Sequence, residues 1–429
     1  MKFNENLRKF VFFLKDKFTG NNIKRHLDDL SKTIDHKKIE QNIFNLLEYA
    51  QKNTMFYNGM ISSNGIESYP IINKTVIKKN EEDFLSKRFK ENQLLRTVTS
   101  GSTGTPFVSY QHKDKKNRNT ADTLHFSNLA GYELGGKLYY VKIWSENNRK
   151  SYLLKKIQNV EAIDVLNLEK NVAQIITKIN KNTSSVNFVG YVSVFETICG
   201  WLERNKSHCI EAKIDSIVTI SEGLSKESRE IIQKHFKCPV FSRYSNVENG
   251  IIAQQIPTSG NDFLINTASY FIEILNFEND SPVPNGTIGR IVVTDLFNKA
   301  MPFIRYDTGD VGALKLKIIN GVEEKFLTHV GGRKLDQIYN TKGELISSYI
   351  VYRNMWSYPE IEQYQLIQIE SGKYVFKICI NEYFSKEEKL INQFKEYLGK
   401  DADFQVEYVK EIPLLNSGKR KKVVNLMNI

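Results

Sequence analysis

Apolar side chains recur at helix spacing over residues 39–51 (IEQNIFNLLEYAQ), and the first ~90 residues read as helical. The Ser62-Ser63-Asn64-Gly65 cluster interrupts that pattern and reads as a break. From residue 138 onward the pattern changes. Strand-like runs at 138–143, 186–189, 214–220 and 240–244 alternate with helical stretches at about 166–180, 194–204 and 226–236. Strands separated by helices of this length predict crossover connections and a parallel sheet, so the middle of the chain is expected to be α/β. After Gly250 strands dominate, with runs at 271–277 and 289–295 separated by Asn279-Asp280-Ser281-Pro282 and Pro284-Asn285-Gly286; these predict a smaller β subdomain on the α/β body. Beyond a boundary near 331–343 come runs at 363–370 and 373–381, a Lys/Glu-rich helix at 385–398 and a run at 403–408, a compact α+β module.

The length of 429 residues, about three ordinary domains, agrees with such a division. With 41% apolar and 25% charged residues, collagen-like, mucin-like and largely disordered chains are excluded. Two apolar runs invite a membrane test: 10–14, hemmed in by Lys9 and Lys15, and 190–202, interrupted by Glu196. Neither approaches the ~20 residues of a spanning helix. The N-terminal run is also shorter than a signal-peptide core, and no small-residue cleavage site follows it, so the expected compartment is the cytoplasm. Cys199, Cys209, Cys238 and Cys379 form no CxxC pair and have no histidine at metal-ligand spacing; reduced core thiols are expected. The net charge of +11 is compatible with a nucleotide or another anionic ligand. Lysine is spread along the chain without a basic arm or a nucleic-acid motif, so no nucleic-acid partner is expected.

Five stretches carry candidate chemistry. In Thr99-Ser100-Gly101-Ser102-Thr103-Gly104, glycines allow close backbone approach to an anion, and hydroxyl and N–H groups donate to phosphate oxygens. The same composition also makes a plain surface turn, and no Gly-Lys-Ser/Thr ends it as a Walker loop requires. In Arg305-Tyr306-Asp307-Thr308-Gly309-Asp310, a carboxylate on a tight turn suits the hydroxyls of a ribose; the competing reading is an acidic turn closing a hairpin. Tyr244-Ser245-Asn246-Val247-Glu248 follows a predicted buried strand, where a sheet presents ligand groups: the tyrosine suits stacking on a base and the glutamate suits Mg²⁺. Near the C-terminus, Gly332-Arg333-Lys334-Leu335-Asp336 precedes Gly418-Lys419, a lysine able to deliver a compact charge to a reacting phosphate; Arg420, Lys421 and Lys422 also allow a simple basic tail.

In order and spacing these motifs resemble the adenylate-forming superfamily of acyl- and aryl-CoA synthetases, adenylation domains and luciferases. The likeness runs over about residues 96–423 and is greatest to the phenylacetate–CoA ligase branch, which includes proteins assigned to capsular-polysaccharide biosynthesis. The resemblance implies that Thr99 to Gly104 hold the ATP phosphates and that Tyr244 packs on adenine, with Ser221-Glu222-Gly223 and Ser245 flanking the nucleotide. It further implies that Glu248 reaches Mg²⁺, Asp310 takes the ribose hydroxyls, Arg333 sits at an interdomain hinge and Lys419 is the adenylation lysine. Gly190-Tyr191-Val192-Ser193 resembles a motif of the capsular group. Three positions depart from the pattern: Ser245 replaces a usual glycine, Val247 a usual hydroxyl residue, and the hinge carries Leu335 before Asp336; the phosphate loop also lacks a lysine after its second glycine.

The implied fold is a large α/β N-terminal domain with a small β subdomain (residues 1–335) and a small mobile α+β C-terminal domain (336–429). The implied activity is ATP-dependent activation of a small-molecule carboxylate as an acyl-adenylate, with transfer to coenzyme A, another thiol or an amine, the acceptor including a sugar or nucleotide sugar. A non-catalytic nucleotide-binding scaffold is the rival class; joint retention of Glu248, Asp310 and Lys419 favours the enzyme.

Overall fold

The computed structural model describes residues 2–32, 36–99, 107–142, 144, 158–165, 168–319, 321–331, 338–346, 351, 354–355, 357–358, 360–380, 383–413 and 422–427. They fall into two compact units: Met1–Glu222 with His235–Val330, and Gly223–Lys234 with Gly331–Ile429.

The first unit opens with helices α1 (Lys2–Phe18), α2 (Asn22–Leu30) and α3 (His36–Asn53), followed by the short α4 (Lys74–Lys79) and α5 (Glu81–Phe84). Leu46, Leu47 and Ala50 of α3 are buried with Tyr57, Phe84, Phe303 and Tyr306, which fastens the helical region to the sheet. Strands β1 (Leu95–Thr99) and β2 (Phe107–Gln111) form an antiparallel pair, and α6 (Lys113–Leu129) follows. The hydrophobic pattern does not announce α6. Its buried side includes Lys115, Arg118 and Asp122 beside Ala121 and Phe126.

Those charges are paired in the interior. Lys115 Nζ lies 2.6 Å from Asp295 Oδ2, and Arg118 contacts Asp29 at 2.7 Å and Asp122 at 3.3 Å. Ser269 Oγ accepts from Arg118 Nε and donates to Asp122. Removing one partner from such a pair strands the other charge in a low-dielectric interior, which typically costs ~3–5 kcal/mol.

The central sheet contains β3 (Lys137–Lys142), β4 (Val160–Asp164), β5 (Val186–Gly190), β6 (Ile214–Ile220), β7 (Val240–Asn246), β8 (Gly250–Gln254), β9 (Phe263–Ile265), β10 (Tyr270–Leu275), β11 (Gly289–Asp295), β12 (Tyr306–Ile319) and β13 (Val322–Gly331). Its order is β10-β11-β12-β13-β9-β8-β7-β6-β5-β3-β4. The pairs from β4 through β7 are parallel, as the strand–helix alternation predicts, with α7 (Leu168–Asn180), α8 (Val192–Arg204) and α9 (Lys226–Phe236) as connections. All five positions of β5 are buried, the mark of a strand covered on both faces. The strands expected of a smaller β subdomain continue this same sheet in antiparallel fashion through β8, β9 and β13.

In the second unit, β16 (Ile361–Glu370) and β17 (Lys373–Ile380) make a hairpin flanked by β18 (Asp403–Tyr408) and β19 (Val423–Asn425), after a small β14–β15 pair (Ile338–Tyr339 and Leu345–Ile346). Helix α10 (Glu387–Leu398) buries Leu390, Phe394 and Leu398 among Leu366, Phe376, Ile378 and Val423. The four cysteines are free; Cys209 is exposed, contrary to the core position expected of it, because it lies between elements and not on one. Among the described residues no helix is long and apolar enough to cross a membrane.

Candidate active site

The parallel strands β5, β6 and β7 end on one edge of the sheet, where connections leave side chains free to meet a ligand. Gly190 closes β5. A Cβ there would lie 3.1 Å from the Val141 carbonyl oxygen and 3.3 Å from Phe195, a close approach that glycine accommodates without displacing its neighbours. After β6, Ser221 adopts a left-handed φ of 66°, and Glu222 then bonds to the start of α8: Ser193 N donates to Oε2 at 2.7 Å and Ser193 Oγ to Oε1 at 3.0 Å. A carboxylate at a helix N-terminus satisfies an otherwise unpaired donor and complements the helix dipole. The structure thereby joins two motifs, Gly190-Tyr191-Val192-Ser193 and Ser221-Glu222, that lie some thirty residues apart. Gly223 follows with open space around its Cα.

At the end of β7 the pairing with β8 slips between Tyr244 and Ser245, a bulge that re-aims the side chains beyond it. The turn closes when Asn249 N donates to Asn246 Oδ1 at 2.8 Å; Val247 stays exposed while Glu248 is only 2% exposed. Glu248 Oε1 accepts from the Tyr306 hydroxyl at 2.8 Å and lies 3.1 Å from Lys74 Nζ. Asn73 positions that lysine by capping α4, its Oδ1 accepting from Thr75 N and Val76 N, and Ile72 bridges to Tyr306.

The turn is also braced from behind. Gln111 Nε2 donates to the Glu248 carbonyl at 3.0 Å, and the Tyr270 hydroxyl to the Asn249 carbonyl at 2.6 Å; Lys115 Nζ donates in turn to the Tyr270 oxygen at 3.1 Å. Gly250, at φ 118°, packs so closely that a Cβ would meet Asn119 Oδ1 at 2.9 Å and the Tyr270 oxygen at 3.0 Å. The fully buried side-chain amide of Asn249 finds no hydrogen-bond partner among the described residues, a costly arrangement of the kind that functional sites retain.

Asp310 is presented differently. Between Arg290↔Val311 and Val292↔Asp307, β12 takes four steps where β11 takes two, so residues within Thr308-Gly309-Asp310 bulge out of the ladder. Gly309 supplies φ 77°, and Asp307, held by Arg290 at 2.9 Å, accepts from Gly309 N. The acidic stretch is therefore a bulge within one long strand and not a turn closing a hairpin. Asp310 Oδ2 accepts from the Tyr244 hydroxyl at 2.7 Å, and Thr308 Oγ1 lies 3.3 Å from the same hydroxyl. Burial pushes the Tyr244 phenol well above its ordinary range and the Asp310 charge adds to the shift; burial and then Glu248 do the same for Tyr306, so both phenols remain donors.

The structure thus brings Tyr244, Glu248 and Asp310 to one cluster on the first unit and adds Tyr306, to which the sequence motif gave no role, and Lys74 and Gln111, which sequence reasoning passed over. Thr99 is the last residue of β1, opposite Phe107. Ser100, Gly101, Ser102, Thr103 and Gly104 between them, and also Arg333 and Lys419, lie outside the described residues. No group of three or more His, Cys, Asp or Glu suited to a metal occurs among the described residues. One carboxylate with ligand oxygens completing the sphere suits Mg²⁺ carried on a nucleotide better than a resident metal cage.

The family of CapK C-terminal domains matches residues 338–426. Protein CapK of Staphylococcus aureus is 24% identical over 399 residues, spanning 88% of this chain and 86% of that protein. Among solved structures, 2-hydroxyisobutyryl-CoA ligase in the postadenylation state with 2-HIB-AMP superposes with a TM-score of 0.72 at 15% identity, covering 91% of this chain and 89% of the other. ATP-bound MatB from Rhodopseudomonas palustris gives 0.54 at 13% identity, covering 76% and 66%. The chain thus shares the fold of these adenylate-forming CoA ligases, and its residues 338–426 match the family of CapK C-terminal domains.

Proposed function

We propose that the protein is an ATP-dependent ligase that activates a carboxylate as its acyl-adenylate and passes the acyl group to coenzyme A, another thiol or an amine. The observation that carries this reading is the Tyr244–Asp310 hydrogen bond of 2.7 Å at the carboxyl edge of the sheet, with the buried Glu248 on the adjoining turn. Tyr244 would pack on adenine, flanked by Ser221, Glu222, Gly223 and Ser245, while Asp310 accepts the ribose hydroxyls. Thr99 and the residues to Gly104 would hold the phosphates. Glu248 would meet Mg²⁺, and Lys74 balances its charge until the metal nucleotide arrives.

The substrate carboxylate oxygen attacks the α-phosphorus, the bond to the pyrophosphate leaving group breaks, and Lys419 offsets the developing charge. Residues 1–335 serve as the ATP- and carboxylate-binding domain, and 336–429, joined through Arg333, as a mobile lid carrying Lys419. Leu335→Pro should then impair adenylation and acyl transfer unequally. The sequence resemblance to a branch that includes proteins assigned to capsular-polysaccharide biosynthesis favours a polysaccharide-related substrate, with a sugar or nucleotide-sugar amine as one acceptor class, and consumption of ATP fits a cytoplasmic setting.

Carboxylate-dependent ATP–pyrophosphate exchange over a panel of acids tests the reading, with Lys419→Ala as the silent control. ATP binding without exchange across the whole panel would replace the ligase with a nucleotide-binding scaffold. Parallel incubation with coenzyme A and with amino sugars distinguishes the acceptors by product mass.

A further inference from the structure

Helix α1 presents an apolar face outward. Leu7, Phe10, Val11, Leu14 and Phe18 are between 38% and 83% exposed, and at 100° per residue they fall within an arc of about 100°. The helix is nevertheless fixed to the body through its opposite side. Asp16, 4% exposed, accepts from Ile23 N at 3.0 Å and Lys24 N at 2.8 Å at the start of α2. Lys9 faces Glu133 at 3.9 Å, and the Glu5 carbonyl sits so near Gly135 that a Cβ there would come within 2.3 Å. The outward face is therefore not the result of a loosely attached helix turned the wrong way.

The charges around the stripe are one-sided. On the same wheel Lys15 and Arg8 border one margin and Lys17 the other, while the acidic Glu5 and Asp16 fall on the opposite side. Lys15 and Lys17 are exposed. Pairing the stripe with a second copy would bring basic margins together, which like-charge repulsion opposes. A surface that accepts phenyl and leucyl side chains in its centre and ammonium groups at both edges is an anionic lipid bilayer, where such helices lie in the interfacial plane. We infer that α1 docks the protein on anionic membranes, with the apolar stripe at the boundary of headgroups and acyl chains. This inference stands independently of the proposed ligase activity.

Sedimentation of the full chain with phosphatidylglycerol vesicles and with phosphatidylcholine vesicles tests it. The protein should pellet with the first and remain in the supernatant with the second. Phe10→Gln combined with Leu14→Gln should lower the bound fraction at least ~tenfold, and Lys15→Glu with Lys17→Glu should abolish the preference for phosphatidylglycerol, both at unchanged melting temperature. Undiminished binding by the Phe10→Gln/Leu14→Gln variant overturns the inference. So does failure of the unaltered protein to bind either vesicle, or a dimer in light scattering that Phe10→Gln dissolves in a protein without vesicle affinity.

Discussion

Glu248 and Asp310 are both carboxylates at the same edge of the sheet, and the protein holds them by opposite means. Glu248 is buried: Tyr306 and Lys74 engage its carboxylate, and Gln111 and Tyr270 grip the backbone of its turn, with Lys115 and Asp295 behind them. Asp310 rides on a glycine-turned bulge and accepts from the Tyr244 hydroxyl. The first arrangement couples the site to the interior charge network, so damage behind it should register as lost stability. The second sits on a partly exposed bulge outside that charge network, so damage there should register chiefly in ligand affinity.

The largest expected effect lies behind Glu248. Asp295→Ala leaves Lys115 buried without its partner and should cost ~3–5 kcal/mol of unfolding free energy in a denaturant titration. A loss below ~1 kcal/mol would break the contrast, because the network would then be idle. Glu248→Gln keeps the shape but removes the charge, and the pyrophosphate exchange rate should fall at least ~100-fold with a raised Mg²⁺ requirement. Asp310→Ala should weaken ATP binding by ~1.5–3 kcal/mol in calorimetry while leaving inorganic pyrophosphate binding alone; equal losses for the two ligands would make Asp310 a turn-former only.

The smallest effect is expected of Tyr244→Phe, ~0.5–1.5 kcal/mol in ATP affinity. Its phenol is pushed upward, so the hydrogen bond to Asp310 persists below the ordinary phenol value and is lost only as pH rises through the higher folded one. ATP affinity of the unaltered protein should accordingly show no break near pH ~10. A break there, absent in Tyr244→Phe, would show the hydroxyl to be solvated.

Much of this organisation is legible in the sequence where periodicity and turn chemistry agree. The strands Ile214–Ile220, Gly289–Asp295 and Asp403–Tyr408 and the helix Lys226–Phe236 fall where the pattern sets them, because each is bounded by polar or turn-forming residues. Helix α6 is hidden, since Lys115, Arg118 and Asp122 on its buried side read as solvent-facing until their partners from distant segments are known. The same distance conceals Lys74, whose only local signal is the Asn73 cap, and Gln111, which acts on a carbonyl 137 positions away. The Asp307-Thr308-Gly309-Asp310 stretch has the composition of a hairpin turn; only strand pairing on both sides reveals a bulge.

The bond between Glu222 and Ser193 bears on how the two positions drift in evolution. Glu222 receives both a side-chain hydroxyl and a main-chain N–H from residue 193, and any amino acid except proline supplies the second of these. Replacement of Ser193 thus sacrifices one bond and keeps the other, whereas replacement of Glu222 abandons both. Across descendants of this gene the substitution record should be lopsided, permissive at 193 and sparse at 222, with proline excluded from 193 for as long as an acid persists at its partner position.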